Sequence, residues 1–595
     1  MRVTPLRTVL LCACAAAAIP TSPPTAAQQT SPGTAFPATA TGARPIDLII
    51  AGGRVWTGNP QQPWAEAVAV SGPLIHAVGS RADIFRLGGP DTEIIDMPGR
   101  FITPGFIDNH THFNSAGALL LGANLLDVAD DNGLIGRVRE ARDRLPDGAW
   151  LVGGDWGAYE AWGAGSTGRE AVRTDSPGFR PHRGAIDSIT PETPVLFNKW
   201  DRSAYLANGA ALRLASADCS WSGVECDNGV PTGRLNAEAA ARVRRVIPQK
   251  SMDQRLMESR IALRHLNELG VTTIHDNTPP DQMGVFQRLD RNDELTVRIY
   301  ARPTLDKWSA LSAAGISHGF GNDYLKIGGG FVDGIMGNSS AYFYRPYMTG
   351  GDRGAWRDMM RNPPGMLELL SGADAAGHWP QIHAIGDQAI DTLLTMFEHV
   401  IASNPPRDRR FRIIHTQVLA GPEVARRMAR NGIIAEVQPY HAIDDMRWME
   451  ERIGERARWA YAFKTLHDAG VVLSFGSDWP GTNASWYTAD PWKGVYAAVA
   501  RQTLDGQPAD GWLPEERVDV ETALRAYTVN NAWVAGEEND KGALRAGLFA
   551  DIAVTDRDPF RVPPAELREL RVLLTVVGGR VVYRADDHSN TGGLR

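Results

Sequence analysis

Short β-branched or alternating apolar runs, punctuated by Gly and Pro, open the patterned part of the chain. They include Asp47-Leu48-Ile49-Ile50, Gly53-Arg54-Val55-Trp56, Ala67-Val68-Ala69-Val70 and Leu74-Ile75-His76-Ala77-Val78. A period near two sends successive side chains to opposite faces, so residues 46–103 predict a small β unit. The same texture returns over 542–585, in Ile552-Ala553-Val554, in Leu573 to Val577, and in Arg580-Val581-Val582-Tyr583 after Gly578-Gly579. Between these ends, apolar runs alternate with helical stretches such as Asp253 to Leu269 and Ile390 to Ala402. That alternation is the pattern of βα units around a parallel sheet. The expected fold class is α/β: a (β/α)8 TIM barrel over residues 104–541, with a composite β-sandwich built from both termini.

Eight barrel strands are expected. They are Phe106-Ile107 before Asp108, Val271 to Ile274, Val297 to Tyr300, Tyr324 to Ile327, Gln381 to His383, Phe411 to His415, Ile433 to Gln438, and Val471 to Phe475 before Asp478. Barrel active sites lie at the carboxyl ends of such strands, where this chain concentrates His and Asp. The stretch from Phe113 to about Leu269 is too long for a βα connection, so an insertion over about 113–269 is expected above the barrel mouth, shaping the substrate site. At the start, Arg2 and Arg7, an apolar stretch from Val9 to Ile19 and the small residues Thr25-Ala26-Ala27 have the order of an export signal, residues 1–27. That stretch is too short for a membrane span. A Pro-, Thr-, Ala- and Gly-rich linker follows over 28–45, and 586–595 form a tail. A periplasmic or secreted location is expected, with a lipoprotein through Cys12 or Cys14 as the alternative.

Composition narrows the possibilities. Among 595 residues, 43% are hydrophobic and 22% charged, as in soluble globular proteins. A net charge of -8 without a long basic run excludes the phosphate-neutralising surface of a nucleic-acid binder. Cys12 and Cys14 leave with the signal. Cys219 and Cys226 either close a small loop in an oxidising compartment or stand as free thiols, and no partner at zinc-like spacing lies beside them.

The chemistry begins at Asp108-Asn109-His110-Thr111-His112. Two histidines two apart on an extended segment emerge on one side and can grip one ion. A lone His-x-His is more readily a structural pair; the rest of the set argues otherwise. His383, His415 and Asp478 each close a separate apolar strand, so five ligand-type groups converge. Imidazole and carboxylate ligands suit zinc and related divalent ions. Asp276 and His441 follow the second and seventh strands and stand as substrate contacts or packing groups. Trp156, Trp162 and Trp200 lie in the insertion, as pocket walls or core.

These motifs resemble the amidohydrolase superfamily, and within it the amidohydrolase-3 group of YtcJ-like proteins. The resemblance spans roughly residues 46–585 and rests on Thr103 to His112, Gly270-Val271-Thr272-Thr273-Ile274-His275-Asp276, Phe331-Val332-Asp333-Gly334, His383-Ala384-Ile385-Gly386-Asp387, Gly476-Ser477-Asp478 and Gly547 to Asp551. It implies metal ligation by His110, His112, His383 and His415, with Asp478 as ligand and catalytic proton shuttle. It also implies one or two divalent ions, zinc foremost, and metal-activated water attacking a small-molecule substrate at a non-peptide amide, formamide or cyclic amide bond. Neither nucleic acid nor a membrane span is expected, and a homodimer is allowed.

Three positions depart from the family pattern. Relatives carry a lysine, carboxylated to bridge two metals, where this chain has Gly329. Lys326 lies three residues earlier, and an odd shift along a strand sends its side chain to the other face unless a bulge re-aims it. Ser203 replaces a histidine that faces substrate, and Ala237, beside Glu238, replaces a glutamate. These departures leave open a metal-dependent esterase, isomerase or decarboxylase on the same site, or a non-catalytic periplasmic binding protein.

Overall fold

The structure, a computed structural model, describes residues 45–585 apart from 127, 147, 158–177, 201, 333–340, 349, 357 and 482–487. Residues 1–44 of the expected signal and linker, the tail, Trp162, Asp201 and Asp333 lie outside the described residues.

The two chain ends meet in one eight-stranded sheet. Its path runs Arg580–Arg584, Val572–Val577, Ile552–Thr555, Phe101–Pro104, Leu48–Trp56, Trp64–Ser71 and Leu74–Gly79, with Glu93–Asp96 added beside Leu48–Trp56. The seam is the antiparallel pairing of Ile552 with Pro104 through Thr555 with Phe101. Period-two patterning explains its burial: Leu48, Ile50, Val68, Val70, Ile552 and Val554 share one apolar cluster, whereas Ile49, Ala51, Ala67 and Ala69 belong to another on the opposite face.

The middle of the chain is a TIM-barrel-type α/β fold in two parallel sheets. One orders Leu325–Ile327, Arg298–Arg302, Val271–Asn277 and Phe106–Thr111; the other orders Phe331–Val332, Gln381–Ala384, Arg412–His415, Ile434–Val437 and Leu473–Phe475. All eight expected strand positions are strands. The fourth is split, because Gly328, Gly329 and Gly330 separate Leu325–Ile327, which pairs with the third strand, from Phe331–Val332, which pairs with the fifth. At the other edge the first and last strands meet: Thr111 bridges Trp479 in parallel, Asp478 N donates to His110 O at 2.8 Å, and His112 N donates to Trp479 O at 2.7 Å.

Helix Met252–Glu268 begins where Ser251 Oγ accepts from Gln254 N at 3.1 Å. Its buried Leu256, Ala262, Leu263 and Leu266 join Val271 and Ile274 in the main core, so this helix packs on the second strand. The stretch before it forms a separate five-stranded sheet: Val224–Asp227, Val230–Leu235, Tyr205–Ala207, Val195–Lys199 and Leu151–Trp156. Beside it Cys219 and Cys226 form a disulfide with Cα atoms 6.0 Å apart. Trp156 is buried in the apolar cluster of this sheet with Leu151 and Phe197, a packing role. Among the described residues, no helix is long and apolar enough to cross a membrane.

Candidate metal centre

The site is assembled at the carboxyl ends of the parallel strands. Glycine at 476 permits the approach of the last strand to the first, because a Cβ there would stand 2.1 Å from Asn109 Oδ1 and 2.6 Å from Asp108 Oδ1. Ser477 then fastens the seam: its N–H and Oγ donate to the two oxygens of Asp108 at 2.9 and 2.5 Å. Burial pushes the Asp108 carboxyl up to about 6, against the Ser477 and His110 donors that hold it down. The next residue, Asp478, has φ 60°, and His415 has φ 70° at the end of the sixth strand. Left-handed backbone at two non-glycine side chains is the sort of local cost that a surrounding structure sustains at functional positions.

Three of the expected ligands come together most tightly. One ligand atom from each of His110, His415 and Asp478 lies within 4.8 Å of the others, and all three residues are buried. His112, at the start of helix Phe113–Leu121, brings Nε2 to 3.0 Å from Asp478 Oδ1, while His110 Nε2 lies 3.3 Å from the same oxygen. His383 borders the group, its ring centroid 4.3 Å from that of His415. Asp478 Oδ1 is buried and receives no properly directed hydrogen bond although two imidazole nitrogens face it. Imidazole nitrogens and a carboxylate oxygen gathered this closely are what a divalent cation requires, so the donor set fits one.

Electrostatics and tautomers agree with that fit. Burial alone would raise the Asp478 carboxyl, but His110 and His112 hold it well below the usual carboxylate range. His415 is driven well below the ordinary histidine value by burial and by neighbouring His383. Its Nδ1 lies 2.6 Å from Gln438 Oε1, which accepts a hydrogen bond from Nδ1–H and leaves Nε2 as the lone-pair nitrogen. His110 Nδ1 lies 3.1 Å from Glu436 Oε1, while its Nε2 lies 3.1 Å from Asn277 Nδ2 and 3.3 Å from Asp478 Oδ1.

The structure separates the weaker candidates. Asp276 accepts from Phe113 N at 2.8 Å and from Thr278 Oγ1 at 2.8 Å, which anchors the loop after the first strand. His441, on helix Pro439–Asp445, brings Nε2 to 3.7 Å from Asp478 Oδ2 and lies nearly parallel to His415, with ring centroids 5.9 Å apart. Burial lowers it to about 4, so it is neutral at physiological pH. Lys326 is not at the centre: its Nζ pairs with Glu537 at 2.9 Å and Asp540 at 3.0 Å.

Sequence reasoning missed the polar layer beneath the ligands. Glu436, Arg302, Arg412, Asn277 and Gln438 are all buried, and Arg302 and Arg412 both pair with Glu436, at 2.8 and 3.1 Å. A signal was present: Arg298, Tyr300 and Arg302, then Glu436 and Gln438, recur every second residue within strands that otherwise read as apolar.

The chain is similar to known proteins in sequence and fold. The amidohydrolase family matches residues 93–583. Protein LONG AFTER FAR-RED 3 of Arabidopsis thaliana is 30% identical over 90% of this chain and 91% of its own length. The N-substituted formamide deformylase of Arthrobacter pascens is 28% identical over 90% of this chain and 98% of its own. An uncharacterized metal-dependent hydrolase from Pyrococcus furiosus superposes with a TM-score of 0.68 at 25% identity, covering 86% of this chain and 100% of that one. With a family match across most of its length, the chain belongs to the amidohydrolase family.

Proposed function

We propose that the chain is a zinc-dependent hydrolase of carbon–nitrogen bonds in small, non-peptide substrates of the amide, formamide or cyclic amide type. The observation that carries this reading is the convergence of His110, His415 and Asp478 within 4.8 Å. His112 and His383 complete the proposed ligand set. The relationship to an N-substituted formamide deformylase supports the bond type. We infer further that the two parallel sheets close into one eight-stranded barrel and that the terminal sheet is a composite sandwich, the Thr111–Trp479 bridge supporting the first inference.

A divalent ion held by these side chains supplies Lewis acidity and makes water acidic enough to attack at neutral pH. The protein's own part is proton management and orientation. Asp478 is anionic, so its carboxylate accepts a proton from the attacking water and delivers it to the leaving nitrogen as the carbon–nitrogen bond breaks. His415, kept neutral and fixed by Gln438, offers a lone pair. His441, neutral and beside Asp478 Oδ2, faces the same carboxylate and is placed to orient it.

The test is a panel of N-substituted formamides, N-acyl compounds and cyclic amides incubated with zinc-loaded protein in 18O-water. Heavy oxygen in the acid product supports the reading; a metal-loaded protein that turns over esters alone, or isomerises substrate without taking up solvent oxygen, overturns it. Export from the cytoplasm is part of the proposal, and the Cys219–Cys226 disulfide supports an oxidising compartment. Recovery of the full chain in the cytoplasmic fraction of its own cells, with both thiols free, would refute export.

A further inference from the structure

The floor beneath the ligands is built in an unusual way. At residue 329, a Cβ would stand 2.0 Å from Trp379 O and 2.3 Å from Gln381 Nε2, so no side chain can project into the interior from that position. Gln381 fills the space, donating to Tyr300 OH at 3.1 Å and accepting from Arg302 at 3.1 Å. Lys326, the lysine nearest in sequence, is turned away and saturated by Glu537 and Asp540. Directly below His110, two guanidinium groups stand against one carboxylate: Arg302 and Arg412 share Glu436, and all three are at most 1% exposed. Arg302 also reaches to 3.1 Å from His110 Nδ1.

These facts act together on the metal count. Two-metal sites hold their ions roughly 3.5–4 Å apart, and an anionic bridge offsets the repulsion between them. Among the described residues strand four supplies no bridging carboxylate, and the fixed charges below the ligands, Arg302 and Arg412 against Glu436, are cations in excess. A second divalent ion would lack the bridge and would add to positive charge in a dry interior, where screening is weak. Asp108 and Asp276 do not make up the deficit, since Ser477 occupies the first and Phe113 N and Thr278 the second. Among the described residues, a single three-ligand group is present.

We propose that this centre holds one divalent ion and no lysine-derived carboxylate, the interior beneath it being closed and charged by the Arg302–Glu436–Arg412 cluster. The inference rests on the metal-dependent reading above and fixes its stoichiometry.

The test uses the full chain, stripped with a chelator and reloaded with cobalt(II) or zinc, with and without bicarbonate, which a carboxylated lysine requires. Expected results are saturation near one ion per chain by elemental analysis, a magnetically isolated cobalt signal, and no effect of bicarbonate. Saturation near two ions with spin coupling, or loading that depends on bicarbonate, overturns the proposal while leaving a metal-dependent hydrolase intact. Failure to bind any ion overturns both and is told apart by the absence of a cobalt spectrum. Lys326→Met sharpens the result: unchanged ion count and ligand-field bands are expected, and loss of an ion from the variant would return Lys326 to the centre. The wild-type count does not depend on whether this variant folds.

Discussion

Ser477 Oγ lies 2.5 Å from Asp108 Oδ2 while the Ser477 N–H donates to Oδ1 of the same carboxylate at 2.9 Å, joining the last parallel strand to the first. Asp478 is the next residue and His110 stands two beyond Asp108, so this pair sets the distance between two walls of the centre. Ser477→Ala removes one donor from a buried carboxyl group, which costs about 1–3 kcal/mol. Denaturant melts of the metal-free protein should show that loss, and metal titration should show weaker binding; an unchanged melt would mean that the backbone bonds across the seam suffice alone.

Glu436 accepts from His110 Nδ1 and pairs with Arg302 and Arg412, so it orients one ligand and neutralises the floor at once. Glu436→Gln removes the negative charge that neutralises the floor and strengthens the hold on His110, leaving only a weaker amide acceptor. Removing a carboxylate behind a ligating histidine typically weakens metal binding about 10- to 100-fold. Competition with a chelating dye measures this, and the cobalt ligand-field bands should shift with it. Wild-type affinity and bands in a folded variant would reduce Glu436 to packing.

How much of this could be read in advance depended on what each residue does locally. His110, His112, His383, His415 and Asp478 end apolar strands, and their chemistry contrasts with their surroundings, so position and type both drew attention. The alternating apolar patterns of Leu48 to Trp56 and Ile552 to Val577 likewise carry their own periodicity. Glu436, Arg302 and Arg412 were harder to read, because their role is mutual: each is an isolated charge in sequence and becomes part of a cluster only when three strands are aligned. The split of the fourth strand was invisible for a related reason. Gly328, Gly329 and Gly330 have the pattern of a turn, whereas in the fold the Tyr300 ring, the Trp379 carbonyl and the side chain and Cα of Leu305 leave no room for a Cβ at any of them. Gly329→Ala should therefore destabilise by about 1–3 kcal/mol through overpacking, a cost that sequence pattern alone does not suggest.

Asp478 has two duties, ligand and proton carrier, and asparagine separates them. Asp478→Asn keeps an oxygen for the ion but cannot take up a proton at neutral pH. General acid–base contributions of this kind are worth about 10²- to 10⁴-fold, so kcat should fall by that range while elemental analysis still finds metal. Undiminished turnover in a metal-loaded variant would remove Asp478 from proton transfer.

The last prediction concerns acid stability away from the centre. Glu537 pairs with Lys541 at 2.7 Å and Lys326 at 2.9 Å, and although burial alone would raise its carboxyl, the two ammonium groups lower it to about 2. A carboxylate whose folded pKa lies below its unfolded one adds stability that is complete above the unfolded value, about 4.5, and fades as pH falls toward 2. The unfolded chain takes up the proton first, so stability drops with falling pH across this window. Urea midpoints measured in steps between these limits should decline more steeply in the wild type than in Glu537→Gln, whose side chain does not titrate. The comparison is one of slopes, because the variant also leaves Lys541 and Lys326 less well paired at every pH. Metal content near neutrality should be the same in both proteins, since none of these three residues belongs to the proposed ligand set. Parallel slopes would show that the lysines do not depress Glu537 in the folded protein.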